Sequence, residues 1–176
     1  MIFAFFGWGW LVLWSFRSLQ SPGIALPLIA AGAVAIFLYA LRSYRRYQGV
    51  AAEEVESPAK KRTNRLFHII NAGQWVVILI VGNILVNVHL SAWVIPSAIL
   101  IIGLHFLPLA RIFSNPAHDV TGGAFILLAV GYPFLATGGP SSAVGRLGAG
   151  LILWASALWA VTTARGSFDR AKHRRL

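Results

Sequence analysis

The stretch IIGLHFLPLARIFSNPAHD, residues 101 to 119, sets His105, Arg111, His118 and Asp119 into an otherwise apolar run. An ionisable side chain inside such a run is costly to keep and marks a functional position. His105 precedes Arg111 by six residues, about 9 Å along a helix at 1.5 Å per residue. Pro108 has no N–H to donate to the Leu104 carbonyl, so a bare acceptor sits beside the imidazole. An imidazole changes charge near neutral pH and suits proton transfer, solute binding or metal ligation.

Upstream, FHIINAGQWVVILIVGNILVNVHL carries His68, Asn71, Gln74, Asn83 and Asn87. His68 follows Arg65, and Asn71 lies a turn further along, so both reach the depth of His105. At 100° per residue, His68, Asn71, Asn83 and Asn87 share one half of the helix circumference, with Gln74 off that stripe. The expectation is a span facing the bundle interior. Its amides then either bond neighbouring helices or line a polar passage for a small solute, with His105, His68, Asn71, Asn83 and Asn87 as the binding residues. The same convergence offers His68, His105, His118 and Asp119 to a divalent metal, imidazole favouring zinc, copper, iron or nickel. No H-x-x-x-H spacing fixes two ligands on one helical face, so the expected cofactor is none and a divalent metal is the alternative. Asp119 also has a structural use as the N-cap of the following helix. No G-x-S-x-G, H-E-x-x-H or phosphate-binding glycine loop is present, and no positive motif supports an enzyme.

These residues must be positioned by membrane spans. The chain has 176 residues, 57% hydrophobic and 11% charged, with a mean hydropathy of +0.71, outside the range of ordinary soluble domains. Apolar runs near the ~20 residues needed to cross a bilayer place six spans at about 2–16, 24–41, 67–88, 92–110, 121–137 and 144–164. The expected fold is all-α: a polytopic six-helix transmembrane bundle forming a single domain. The segment 43–64 reads as a cytoplasmic linker or short interfacial helix, and 165–176 as a basic cytoplasmic tail.

Basic residues fix the orientation, because cytoplasmic loops retain Lys and Arg. Arg42, Arg45, Arg46, Lys60, Lys61, Arg62, Arg65, Arg111 and the tail fall on one side, and Arg17 and Arg146 on the other, so both termini are expected in the cytoplasm. The net charge of +10 then has a topological cause, which removes the case for a nucleic-acid partner, and the basic loop and tail suit anionic lipids. No span contains a carboxylate, which disfavours acid-driven proton coupling and dense carboxylate sites for calcium or magnesium. The chain has no cysteine, which excludes thiol-ligated metals.

An ungapped alignment of the second and fourth spans sets Pro27 on Pro96 and Arg42 on Arg111, which suggests three helical hairpins of one parentage. On the sixth span Gly145 and Gly148 precede an i, i+4, i+8 ridge of Ser156, Ala160 and Ala164, a packing face whose other use is a homo-oligomer contact. Tyr132, beside Pro133, reads as an interfacial aromatic anchor or, with Asn83, Asn87 and His89, as the rim of an outer vestibule.

GLHFLPLAR, 103–111, the Asn-Pro turn and VTGGAFIL together resemble a segment of an uncharacterised family of small six-span bacterial membrane proteins with a G-L-H-F-x-P-L-A core. The resemblance covers 101–131, implies a bacterial inner membrane and singles out His105. The hairpin repetition is similar in architecture to six-span acid-resistance membrane proteins. The expectation for function is small-solute binding or transport through a cytoplasmic-side pocket. The alternatives are a histidine-based metal site or membrane-embedded enzyme there, and a non-catalytic structural or stress-related protein.

Overall fold

The computed structural model describes residues 2–19, 23–51 and 58–173, with side chains for 3–19, 23–43, 45 and 61–162. Six helices follow in order: α1 (Ile2–Ser18), α2 (Ala25–Ala51), α3 (Pro58–Asn87), α4 (Val94–Phe113), α5 (Pro116–Leu135) and α6 (Val144–His173). Single 3-10 turns occupy Ser91–Trp93 and Gly139–Ser141, and no strand occurs among the described residues. Among the described residues, five stretches are long and apolar enough to cross a membrane: Ala25–Ser43, Lys61–Asn87, Ser91–Phe113, Pro116–Leu135 and Val144–Thr162. α1 is apolar but has 17 residues, about 25 Å against a hydrocarbon core of ~30 Å.

Helices outrun spans where charge begins. Most of the 43–64 segment is helical, in α2 up to Ala51 and in α3 from Pro58. Loss of hydropathy marks where lipid would end, whereas Arg, Gln, Lys and Ala are good helix formers. Pro58 stands at the first helical position, where its missing N–H costs nothing. The acidic triplet Glu53, Glu54 and Glu56 lies outside the described residues, as do Arg174 and Arg175.

The chain forms two compact units, one of Met1–Glu54 with Gly150–Leu176 and one of Val55–Ala149. The boundary between the two units falls within α6, between Ala149 and Gly150. In its first turns, a Cβ on Gly148 would lie 2.7 Å from Leu128 and one on Gly145 2.5 Å from the Tyr132 ring, both on α5. From Gly150 onward the same helix packs on α1 and α2.

In the first unit, Ala4, Ile36 and Ala157 form a buried cluster flanked by Phe3 and Trp154. The Trp154 indole occupies a slot floored by Gly7 and Gly32; a Cβ on Gly32 would stand 2.6 Å from the ring, and one on Gly7 would overlap it. Its Nε1 donates to the Ala4 carbonyl at 3.3 Å. The buried ridge of α6 is Gly145, Ala149, Leu153 and Ala157, one position on from the predicted ridge. Ser156 is half-buried and donates to the Ile152 carbonyl at 2.8 Å, Ala160 is exposed, and the Ala164 side chain lies outside those described. Small residues occur at both registers, and Trp154 decides between them because only one places the indole over glycine.

In the second unit, α4 and α5 make the closest crossing. A Cβ on Gly122 would stand 2.8 Å from the Gly103 carbonyl oxygen, and one on Gly103 would be 3.0 Å from the Gly122 oxygen. The two backbones touch because neither residue has a side chain. Ile99, Phe106, Leu109, Phe125 and Ala129 close the core around this crossing.

Candidate functional site

The connection from α4 to α5 is two residues long. Ser114 takes a left-handed conformation at φ 47° and ends α4, with its N–H donating to the carbonyls of Ala110 and Arg111. Asn115 then caps α5: its Oδ1 accepts from the Ala117 N–H at 3.1 Å, and Pro116 supplies the first helical residue. The helix thus begins five residues before the predicted start, and Asn115 replaces Asp119 as the cap. Asp119 lies in the first turn, where a carboxylate is favoured by the helix dipole.

This short turn brings His118 back over α4. Its ring stacks on Phe106 with centroids 5.8 Å apart and an interplanar angle of 26°, and tilts against Phe113 at 6.1 Å. Phe106 stacks in turn on Phe125 at 6.0 Å, and Phe113 meets Phe67 of α3 edge-on at 5.9 Å. Rings from three helices therefore frame this end of the unit. His118 is half-buried, with Asp119 as its charged neighbour.

His105 is half-buried on α4, and the backbone of Ile70 on α3 is among its interacting neighbours. Its Nδ1 is buried and has no hydrogen-bond partner. With the ring proton on Nε2, Nδ1 presents a lone pair to whatever enters. His118 is its nearest interacting imidazole. The site thus holds one buried acceptor nitrogen, a second imidazole and a frame of phenyl rings.

The third helix divides its polar residues. Phe67, Ile70 and Gly82 touch α4, through Phe113, His105 and Val94 respectively. At 100° per residue these three define an arc that contains Asn71 and Gln74, both half-buried. His68 is about 100° round from Phe67 and exposed. Asn83 and Asn87 are exposed on the opposite side, where the Asn87 Nδ2 donates to the Asn83 Oδ1 and carbonyl, both at 2.8 Å. The expected interior-facing stripe of four is therefore split. Its half-circumference is wider than the arc that one neighbouring helix covers, and Gln74, left off the stripe, lies on the packed side.

Of the predicted site residues, His105 and His118 interact electrostatically, and Asn71 lies on the arc of α3 that packs on α4. His68, Asn83 and Asn87 are elsewhere. No group of three or more His, Asp or Glu side chains suited to a metal ion occurs among the described residues. The chain matches no protein-family model, no curated protein and no solved structure. Sequence reasoning missed Phe106 and the Ile70 backbone. The seven-residue spacing of Phe106 and Phe113, one face of a helix, was the available signal for the ring frame, whereas a backbone group leaves no trace in residue type.

Tyr132 is buried, and its hydroxyl donates to the Pro140 carbonyl at 3.2 Å while its ring covers Gly145. It locks the α5–α6 connection, which accounts for its place better than the anchor or vestibule readings. His89 is exposed with φ 61°, in the turn after α3.

Proposed function

We propose that the protein is a multi-pass membrane protein of the bacterial inner membrane, with both termini cytoplasmic, that binds and transports a small polar solute at His105. The observation that carries this reading is the buried Nδ1 without a partner. An unpaired acceptor in an apolar surround costs free energy until a donor reaches it. A hydroxyl, amide or ammonium group of a solute, or a proton, supplies that donor, and His118 is a second imidazole close enough to interact with His105. The bacterial setting rests on the resemblance in 101–131 and the orientation on the distribution of basic residues.

A His105→Gln variant tests the site, because glutamine keeps a polar donor and acceptor but loses the ring geometry and the ability to take up a proton. Expected is an intact fold with at least a tenfold loss of the small molecule that co-purifies with the parent, read by mass spectrometry. Unchanged ligand content in a folded variant would sink the solute reading.

The interaction of His105 with the Ile70 backbone favours a second reading, a structural membrane protein in which His105 joins α3 to α4. Interhelical bonds of this kind contribute about 0.6 kcal/mol. That reading expects His105→Leu to lose this much stability and His105→Gln to lose none, with no ligand involved. For the orientation, reporter fusions within 17–20 and after Leu176 should report opposite sides of the membrane. Matching reports would contradict the odd number of crossings, five, that six spans place between the two points.

A further inference from the structure

We infer that the outward face of α3 is a contact surface for a second copy of this chain. Leu66, Ile69, Gly73, Val76, Ile80, Asn83 and Asn87 follow one another at alternating intervals of three and four residues, and all are exposed. This 3.5-residue period is that of a left-handed helix pair. Space beside Gly73 is open, with nothing within 4 Å of a Cβ placed there, so a facing backbone can come close.

Lipid covers an apolar helix face without help, but it does not satisfy amides. The Asn87 Nδ2 donates to the Asn83 Oδ1 and carbonyl, which leaves the Asn83 Nδ2 and the Asn87 Oδ1 to find partners. The complement of an amide is another amide, since each carries donor and acceptor. Copies of one chain inserted in one orientation pair in parallel about an axis normal to the membrane, so each residue meets its own counterpart at the same depth. A second copy therefore presents Asn83 to Asn83 without further specification, as a polar residue in a heptad seam sets register. The stripe ends at Leu66, because its continuation, Arg62, would oppose a like charge.

The inference rests on the membrane placement proposed above and is independent of solute binding at His105. The chain has no cysteine, so single cysteines can be placed without background. Cysteines at positions 69, 73, 76 and 80, and at 71, 74 and 78 as the α4-facing set, would be oxidised in native membrane vesicles. Disulfide-linked dimers are expected for the first set and not for the second. Asn83→Leu in the 76 and 80 backgrounds should lower the dimer yield about threefold, the scale of one interhelical hydrogen bond, and Asn83→Gln should restore it. Dimers absent at every position, equally strong in both sets, or unchanged by Asn83→Leu would overturn the pairing. Recovery of the protein outside the membrane fraction would instead overturn the membrane placement.

Discussion

Replacing Gly122 with valine is expected to destabilise the protein by about 1–3 kcal/mol, the usual cost of forcing bulk into a closed core. A Cβ at Gly122 would lie 2.8 Å from the Gly103 carbonyl oxygen and 3.0 Å from the Phe106 Cβ. The nearest obstacle is backbone, and it moves only if α4 and α5 separate. The adjacent glycine is the control. Nothing lies within 4 Å of a Cβ at Gly123, so Gly123→Ala should leave stability unchanged or raise it by up to ~1 kcal/mol through lower backbone entropy in the unfolded chain. The measurement is the thermal-unfolding midpoint of the purified variants in one detergent. Equal effects at the two positions would mean that the helices do not cross at Gly122.

Trp154→Ala should cost more, about 3 kcal/mol, because it empties the slot over Gly7 and Gly32 that no neighbouring side chain fills. Trp154→Phe separates ring from bond: it keeps much of the packing and removes the donation to the Ala4 carbonyl, for a loss of about 1 kcal/mol. Equal losses in the two variants would assign the whole effect to the hydrogen bond, and no loss in either would contradict the slot.

The cores of the five apolar helices were legible in the sequence because hydropathy over a long window reports burial in lipid or protein alike. Their ends were less so. Asn115-Pro116 is a cap followed by a first-turn proline, yet it also reads as a turn, and the hydropathy dip over His118 and Asp119 hid the first five residues of α5. The helical content of 43–64 was hidden in the same way by charge. Legibility of the site was narrower still. His105 stood out because an imidazole in an apolar run is rare, and the hairpin placed His118 near it. Periodicity gave the angular positions of Asn83 and Asn87 but not which arc a neighbour would cover, since that depends on how many helices pack on α3. Gly103 and Gly122 looked like two among many small residues; only their mutual contact distinguishes them.

The bond between Trp154 and Ala4 joins residues 150 positions apart in the chain, and this bears on biogenesis. Val55–Ala149 is contiguous, so each of its helices has its partners within a short stretch of nascent chain, and loop closure there is cheap. The other unit is assembled from the two ends of the sequence. Its first two helices must wait, with the glycine slot unfilled, until Trp154 and Ala157 have left the ribosome. A chain stopped in translation before that point would retain an open seam between α1 and α2, the kind of exposed surface that membrane proteases and chaperones recognise.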